Sequence, residues 1–225
     1  MNDKDLKFLW QTTHDQWEKS LIINKKNMEE ITRLKARNFL SSMKPVKIFT
    51  LISGILWVGI LGIIIFHLFI NAYDRISLFF LYSASFQVLL TSIAVVMYMV
   101  QLDLIYTTDF SGSVLDIQKK LLKLQSSSLN VARILFLQLP AWTTFYWNDT
   151  MLASGNIFFW ILQGLITLSA IYGAFWLFSN IKYENRNKKW FQWIFSGNEW
   201  LPIIQALEHI KQIEEYQKEE PKSIL

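Results

Sequence analysis

The chain has 225 residues, of which 52% are apolar and 16% aromatic, with ten Trp and no Cys; 22 Lys and Arg stand against 18 Asp and Glu, a net charge of +4. Without Cys there are no disulfides, thiolate metal sites or cysteine nucleophiles, while redox compartment stays open. The net charge says less than the placement of the cations.

Residues 1–45 form the first segment. Asp5–Leu40 contains no Gly or Pro, and Leu6, Trp10, Trp17, Leu21, Met28, Ile31 and Leu34 recur at spacings that suit a long amphipathic helix. The plain expectation is a helix packing on its neighbours. The sharper one is a partner-binding stripe made of Trp10, Trp17, Leu21, Met28 and Ile31, although Thr13 and Asn24 interrupt it as a coiled-coil seam. Pro45 is expected to break this helix just before the membrane, with the Lys44 and Lys47 ammonium groups reaching lipid headgroups. The first apolar run begins too far in for a cleavable signal peptide, and Asn2 replaces the Gly that myristoylation needs.

Four apolar runs follow: Val46–Ile70, Ile76–Val100, Val131–Trp147 and Ile157–Ser179. A bilayer core takes about 20 apolar helical residues, which the third run alone falls short of. The five-residue link Asn71–Arg75 makes the first two runs an antiparallel hairpin. Gly54, Gly59 and Gly62 on the first run, Ser83, Ala84 and Ser85 on the second, and the pairs Ser169/Gly173 and Ala170/Ala174 on the fourth allow close helix approach. Residues 111–129 predict a further helix. Ser113 and Asp116 resemble a capping box, Leu121, Leu122, Leu124 and Leu129 supply an apolar face, and Lys119, Lys120 and Lys123 take polar positions. Arg133 is expected to snorkel at the entry to the third run, Pro140 to kink it, and Trp142, Tyr146 and Trp147 to form an aromatic belt.

Residues 180–225 open with a basic-aromatic block, Lys182–Phe195. Lys182, Arg186, Lys188 and Lys189 are expected to meet anionic headgroups while Trp190, Phe191, Trp193 and Phe195 enter the interface. Such a block can also bind single strands, but beside a span membrane anchoring is the expected use and no nucleic-acid binding is assigned. A last helix follows, with Asn198 as its cap, Trp200, Ile203, Ile204, Leu207, Ile210 and Ile213 as its stripe, and Pro221 as its end.

Twenty-one of the 22 basic residues fall on one side of the four runs. Lys and Arg resist translocation, so this pattern predicts an inner-membrane protein with both termini and the central loop in the cytosol. Chemistry is sparse. No acidic residue lies within a run, and His14, His67 and His209 are scattered without metal-ligand spacing. No nucleotide loop or hydrolase elbow occurs, so no catalytic residue, metal or cofactor is assigned. Gln87, Gln138 and Gln163 lie inside runs and read first as interhelical glue. A polar seam for transport is the alternative.

Three stretches, DLKFLWQ near the start, Lys123–Trp147 (KLQSSSLNVARILFLQLPAWTTFYW) and Lys188–Tyr216 (KKWFQWIFSGNEWLPIIQALEHIKQIEEY), resemble a group of uncharacterised bacterial four-span membrane proteins often encoded beside extracytoplasmic-function sigma factors. That resemblance implies envelope signalling and an anti-sigma role. The chain departs from the usual anti-sigma pattern in having no zinc-binding HxxxCxxC motif and no external sensor domain. The expectation is an all-α, multi-pass membrane protein of four spans, with its amphipathic helices packed as a small cytosolic subdomain. Its expected role is non-enzymatic and regulatory or scaffolding, with anionic lipid, a cytosolic protein such as a sigma factor, and a second copy as the partners considered. The alternative is a small oligomeric transporter or channel with its seam in the third and fourth spans.

Overall fold

The computed structural model describes residues 3–109, 112, 114–154 and 156–195. The last expected helix and Ser113 of the capping box lie outside the described residues. Among those residues the fold is all-helical: α1 Asp3–Asn71, α2 Leu78–Tyr106, α3 Val114–Phe136, α4 Leu139–Thr144, α5 Asp149–Ser154, α6 Ile157–Asn180 and α7 Lys189–Phe195, with single 3₁₀ turns at Tyr73–Arg75 and Tyr183–Asn185.

Pro45 does not interrupt the first helix, contrary to the sequence expectation; α1 runs through it for 69 residues. A proline removes one N–H, here the one that would meet the carbonyl of Ser41, and leaves the rest of the hydrogen-bond ladder available. Pro45 itself is exposed, while Met43 and Lys47 on either side of it are wholly buried against neighbouring helices, and this packing holds the helical path. At 1.5 Å per residue α1 extends about 100 Å.

Three helices are long and apolar enough to cross a membrane: α1 through its second half, α2 and α6. Their outward faces carry exposed Phe49, Ile60, Phe66, Leu89, Val96, Leu165 and Leu168, surfaces that are stable against hydrocarbon and costly in water. The third apolar run is divided. Pro140 cannot donate to the carbonyl of Phe136, so the chain tightens into two 3₁₀-type bonds, Leu137 N to Ile134 O at 3.2 Å and Gln138 N to Leu135 O at 3.1 Å. It restarts as the six-residue α4, with Pro140 in its first turn. Val131–Trp147 is therefore the end of α3 plus α4, bent at Leu137–Gln138.

α1 packs along α2; α2 also packs on α3 and α4, and both of these pack on α6. The buried stripe of α2 (Leu81, Ala84, Gln87, Leu90, Ala94, Tyr98, Gln101, Ile105) advances by three or four residues, as a helix wedged between neighbours must. Of the first run's glycines, Gly54 lies at the contact, where a Cβ would come within 2.8 Å of Val95 Cγ2; Gly59 and Gly62 face open space.

Two cores lie along α3, one near its start and one toward its end. In one, Ala36, Leu40 and Met43 of α1 meet Ile105 of α2 and Ile117, Leu121 and Leu124 of α3. Full burial of each large side chain contributes roughly 1.5–3 kcal/mol. In the other, Leu129 and Ala132 of α3 meet Ile181 and the α7 residues Phe191 and Phe195. The basic-aromatic block therefore turns two of its rings inward. Trp190 is half-buried with its ring 4.9 Å from Trp176, and Trp193 is 84% exposed.

Candidate functional site: a buried lysine and the polar clamps of the bundle

The stripe that buries Ala36, Leu40 and Met43 continues one turn on to Lys47, whose relative exposure is 0%. Its ammonium is not an outward anchor. Lys47 Nζ donates to Gln101 Oε1 at 2.6 Å and approaches Ser128 Oγ at 3.4 Å, with the Tyr98 ring centroid 4.9 Å away. Ser128 Oγ donates in turn to Gln101 Oε1 at 3.2 Å, and Gln101 Nε2 donates to Ser127 Oγ at 3.0 Å. A charge withdrawn from water costs several kcal/mol unless its hydrogen-bonding capacity is met. Here three helices meet it together, since Lys47 comes from α1, Tyr98 and Gln101 from α2, and Ser127 and Ser128 from α3. The arrangement fixes α1 in register and rotation against its neighbours. What this network supplies is positioning: one side chain from α1 is held by partners on both α2 and α3.

The signal for this site was present in the sequence as periodicity. Residues 36, 40, 43 and 47 share one helical face, as do 94, 98, 101 and 105. Lys44 lies off that face, half-buried, with its ammonium 4.3 Å from the Tyr106 ring centroid.

The three glutamines do not join into one seam. Gln138 Nε2 donates to Thr91 Oγ1 at 3.0 Å, tying the start of α4 to α2. Gln163 Nε2 donates to Thr143 O at 2.8 Å while its Oε1 accepts from Tyr146 at 2.7 Å, tying α6 to the α4 region. Gln87 is buried on α2 between Ser83 and Thr91, one turn from each. Ser83 meets Thr144 Oγ1 at 2.9 Å, and the Ser77 hydroxyl donates to the carbonyl of Trp147. These are separate clamps along the α2–α4 and α4–α6 contacts. Beside them, the Trp147 ring lies 5.4 Å from Phe79 and 5.5 Å from Trp160, while Trp142 and Tyr146 of the expected aromatic belt are exposed.

Arg133 is half-buried and tied to the protein by two hydrogen bonds. Its Nε donates to Ile181 O at 2.6 Å and its Nη1 to Asn130 Oδ1 at 3.2 Å, so it caps the C-terminus of α6, where the helix dipole favours a cation. Lys182, Lys188 and Lys189 are exposed, and Arg186 lies 4.4 Å from the Tyr183 ring centroid. His67 Nδ1 is 3.1 Å from the Asn71 amide. His14 stacks on Trp10, with centroids 5.4 Å apart.

The proposed partner stripe stands apart from all of this. Trp10 is 69% exposed, Trp17 65% and Ile31 51%; Leu21 is exposed and Met28 half-buried. Among the described side chains, burial on α1 begins only at Ala36. No protein-family description, curated protein or solved structure matches this chain.

Proposed function

We propose that this is a non-enzymatic, membrane-anchored scaffold in which the bundle presents the first half of α1 as an arm for a cytosolic protein. The observation that carries the reading is the apolar stripe Trp10–Ile31, left uncovered on a helix whose second half is pinned through Lys47. An amphipathic helix with its apolar face free recognises a groove or a complementary helix in a partner. The asymmetry of the cations supports an orientation with both termini and the α2–α3 connection in the cytosol. The finer topology proposed is four crossings, the third made by the end of α3 together with α4. In the bacterial inner membrane this would be a regulatory device, and the resemblance noted above makes a sigma factor the first partner to test.

The test is a photo-crosslinking residue placed at Trp17 or Leu21, compared with one at Lys19, in cells carrying the intact protein. Adducts to one cytosolic protein from Trp17 and Leu21, weak from Lys19, are expected. Equal adducts from all three positions, or none, would sink the proposal, and adducts only between two copies would replace the partner with self-association. The transport reading has less support, because Gln138 and Gln163 each commit their amides to neighbouring helices.

A further inference from the structure

A cleft of about 370 Å³ opens where α1 passes the end of α2. This lies in the lower part of the range for small-molecule sites, roughly 300–1,000 Å³. One wall is a single face of α1, on which Arg37, Ser41 and Lys44 follow at intervals of four and three residues; Tyr106 and Asp109 form the other wall. Leu40 and Ile105, both buried, also line it. Among the described residues the Arg37 guanidinium makes no hydrogen bond or ion pair, and Lys44 has only the face of the Tyr106 ring. The cations are not needed to complete the end of α2: Lys120 Nζ already donates to Thr107 O at 2.8 Å.

We infer that this cleft binds the phosphodiester headgroup of an anionic membrane lipid. Two cations and a hydroxyl on one face supply donors for non-bridging phosphate oxygens, with Arg37 able to engage two at once. Among the described residues that line the cleft, the one carboxylate, Asp109, against Arg37 and Lys44 leaves an excess of one positive charge, which matches a singly charged diester and disfavours a doubly charged monoester. The position also suits a lipid. The cleft adjoins the start of the apolar half of α1 and the end of α2, so its mouth lies at headgroup depth if those helices cross the bilayer, the part of the proposed function on which this inference rests. The ligand chemistry is shared with free phosphate, and the experiment separates the two.

Intact protein in detergent is titrated with phosphatidylglycerol and the bound lipid counted by native mass spectrometry. Arg37→Gln and Lys44→Gln are each expected to weaken binding about fivefold and their combination about 25-fold. Lys182→Gln with Lys189→Gln should leave it unchanged, and Asp109→Asn should improve binding of phosphatidic acid. All these side chains are exposed or half-buried, so thermal midpoints should match the parent and confirm that the variants fold. Retention of phosphatidylglycerol by the double variant would overturn the inference, as would equal retention of phosphatidylcholine. Displacement of the lipid by excess inorganic phosphate would transfer the site to a soluble anion. Loss of partner adducts from Trp17 with lipid binding intact would refute the scaffold and leave the cleft standing.

Discussion

The two halves of α1 belong to one uninterrupted helix, yet they meet different fates. From Ala36 to Lys47 its stripe is buried against α2 and α3 and includes a lysine at 0% exposure; before Ala36 an apolar stripe with two tryptophans lies open. Helical periodicity is common to both. The difference is whether another element is within reach, which shows that an amphipathic pattern specifies a face to be covered without specifying what covers it.

The contrast can be broken most sharply in the packed half. Met43→Ala removes a wholly buried side chain and should lower unfolding stability in detergent by about 3 kcal/mol, whereas Trp17→Ala should change it by less than about 0.5 kcal/mol. Similar losses at both positions would mean that the projecting stripe is also packed. Gln101→Leu comes next. It deprives the Lys47 ammonium of its 2.6 Å acceptor at a cost of about 2–3 kcal/mol, while Lys47→Met, which removes the charge and keeps the volume, should fall within about 1 kcal/mol of the parent or above it. If Lys47→Met proved the worse of the two, the buried charge would be a net source of stability.

A smaller effect sharpens the α1–α2 contact. Gly54→Ala forces a methyl against Val95 and should cost about 1–2 kcal/mol, and Gly59→Ala, facing open space, should be neutral or gain up to about 1 kcal/mol in the same unfolding measurement. The smallest concerns the clamps. Gln138→Leu and Gln163→Leu should each cost about 1 kcal/mol and should add in the double variant, because the two amides have different partners. Marked non-additivity, or solute flux in proteoliposomes that both changes abolish, would restore a connected polar seam.

Much of the helical framework was legible in the sequence. The apolar runs lie on helices, and Pro140 bends the third because a missing N–H acts locally, whatever the surroundings. Pro45 departs from the expected break for the opposite reason: the buried neighbours Met43 and Lys47 hold the helix through it. Lys44 and Lys47 look alike as a pair of cations before an apolar run, and only their places on the helix separate a half-exposed residue from a buried one. Arg133 could not have been assigned to the end of α6, since its acceptor at Ile181 is 48 residues away and is a backbone carbonyl, which carries no mark in a sequence. Gln138 and Gln163 each bond across a helix contact, as buried amides in an apolar run must. Which helix each would join was not legible, because an amide side chain is complementary to almost any polar group.

The unbroken passage of α1 through Pro45 gives the molecule a mechanical property. From Ala36, where packing begins, back to Lys7 is about 44 Å of continuous rod. Tilting that rod by about 10° at its packed end sweeps its tip through about 8 Å. A small adjustment among the three helices around Ala36–Lys47, too slight to open a pore, would therefore reach the tryptophans amplified to several ångströms.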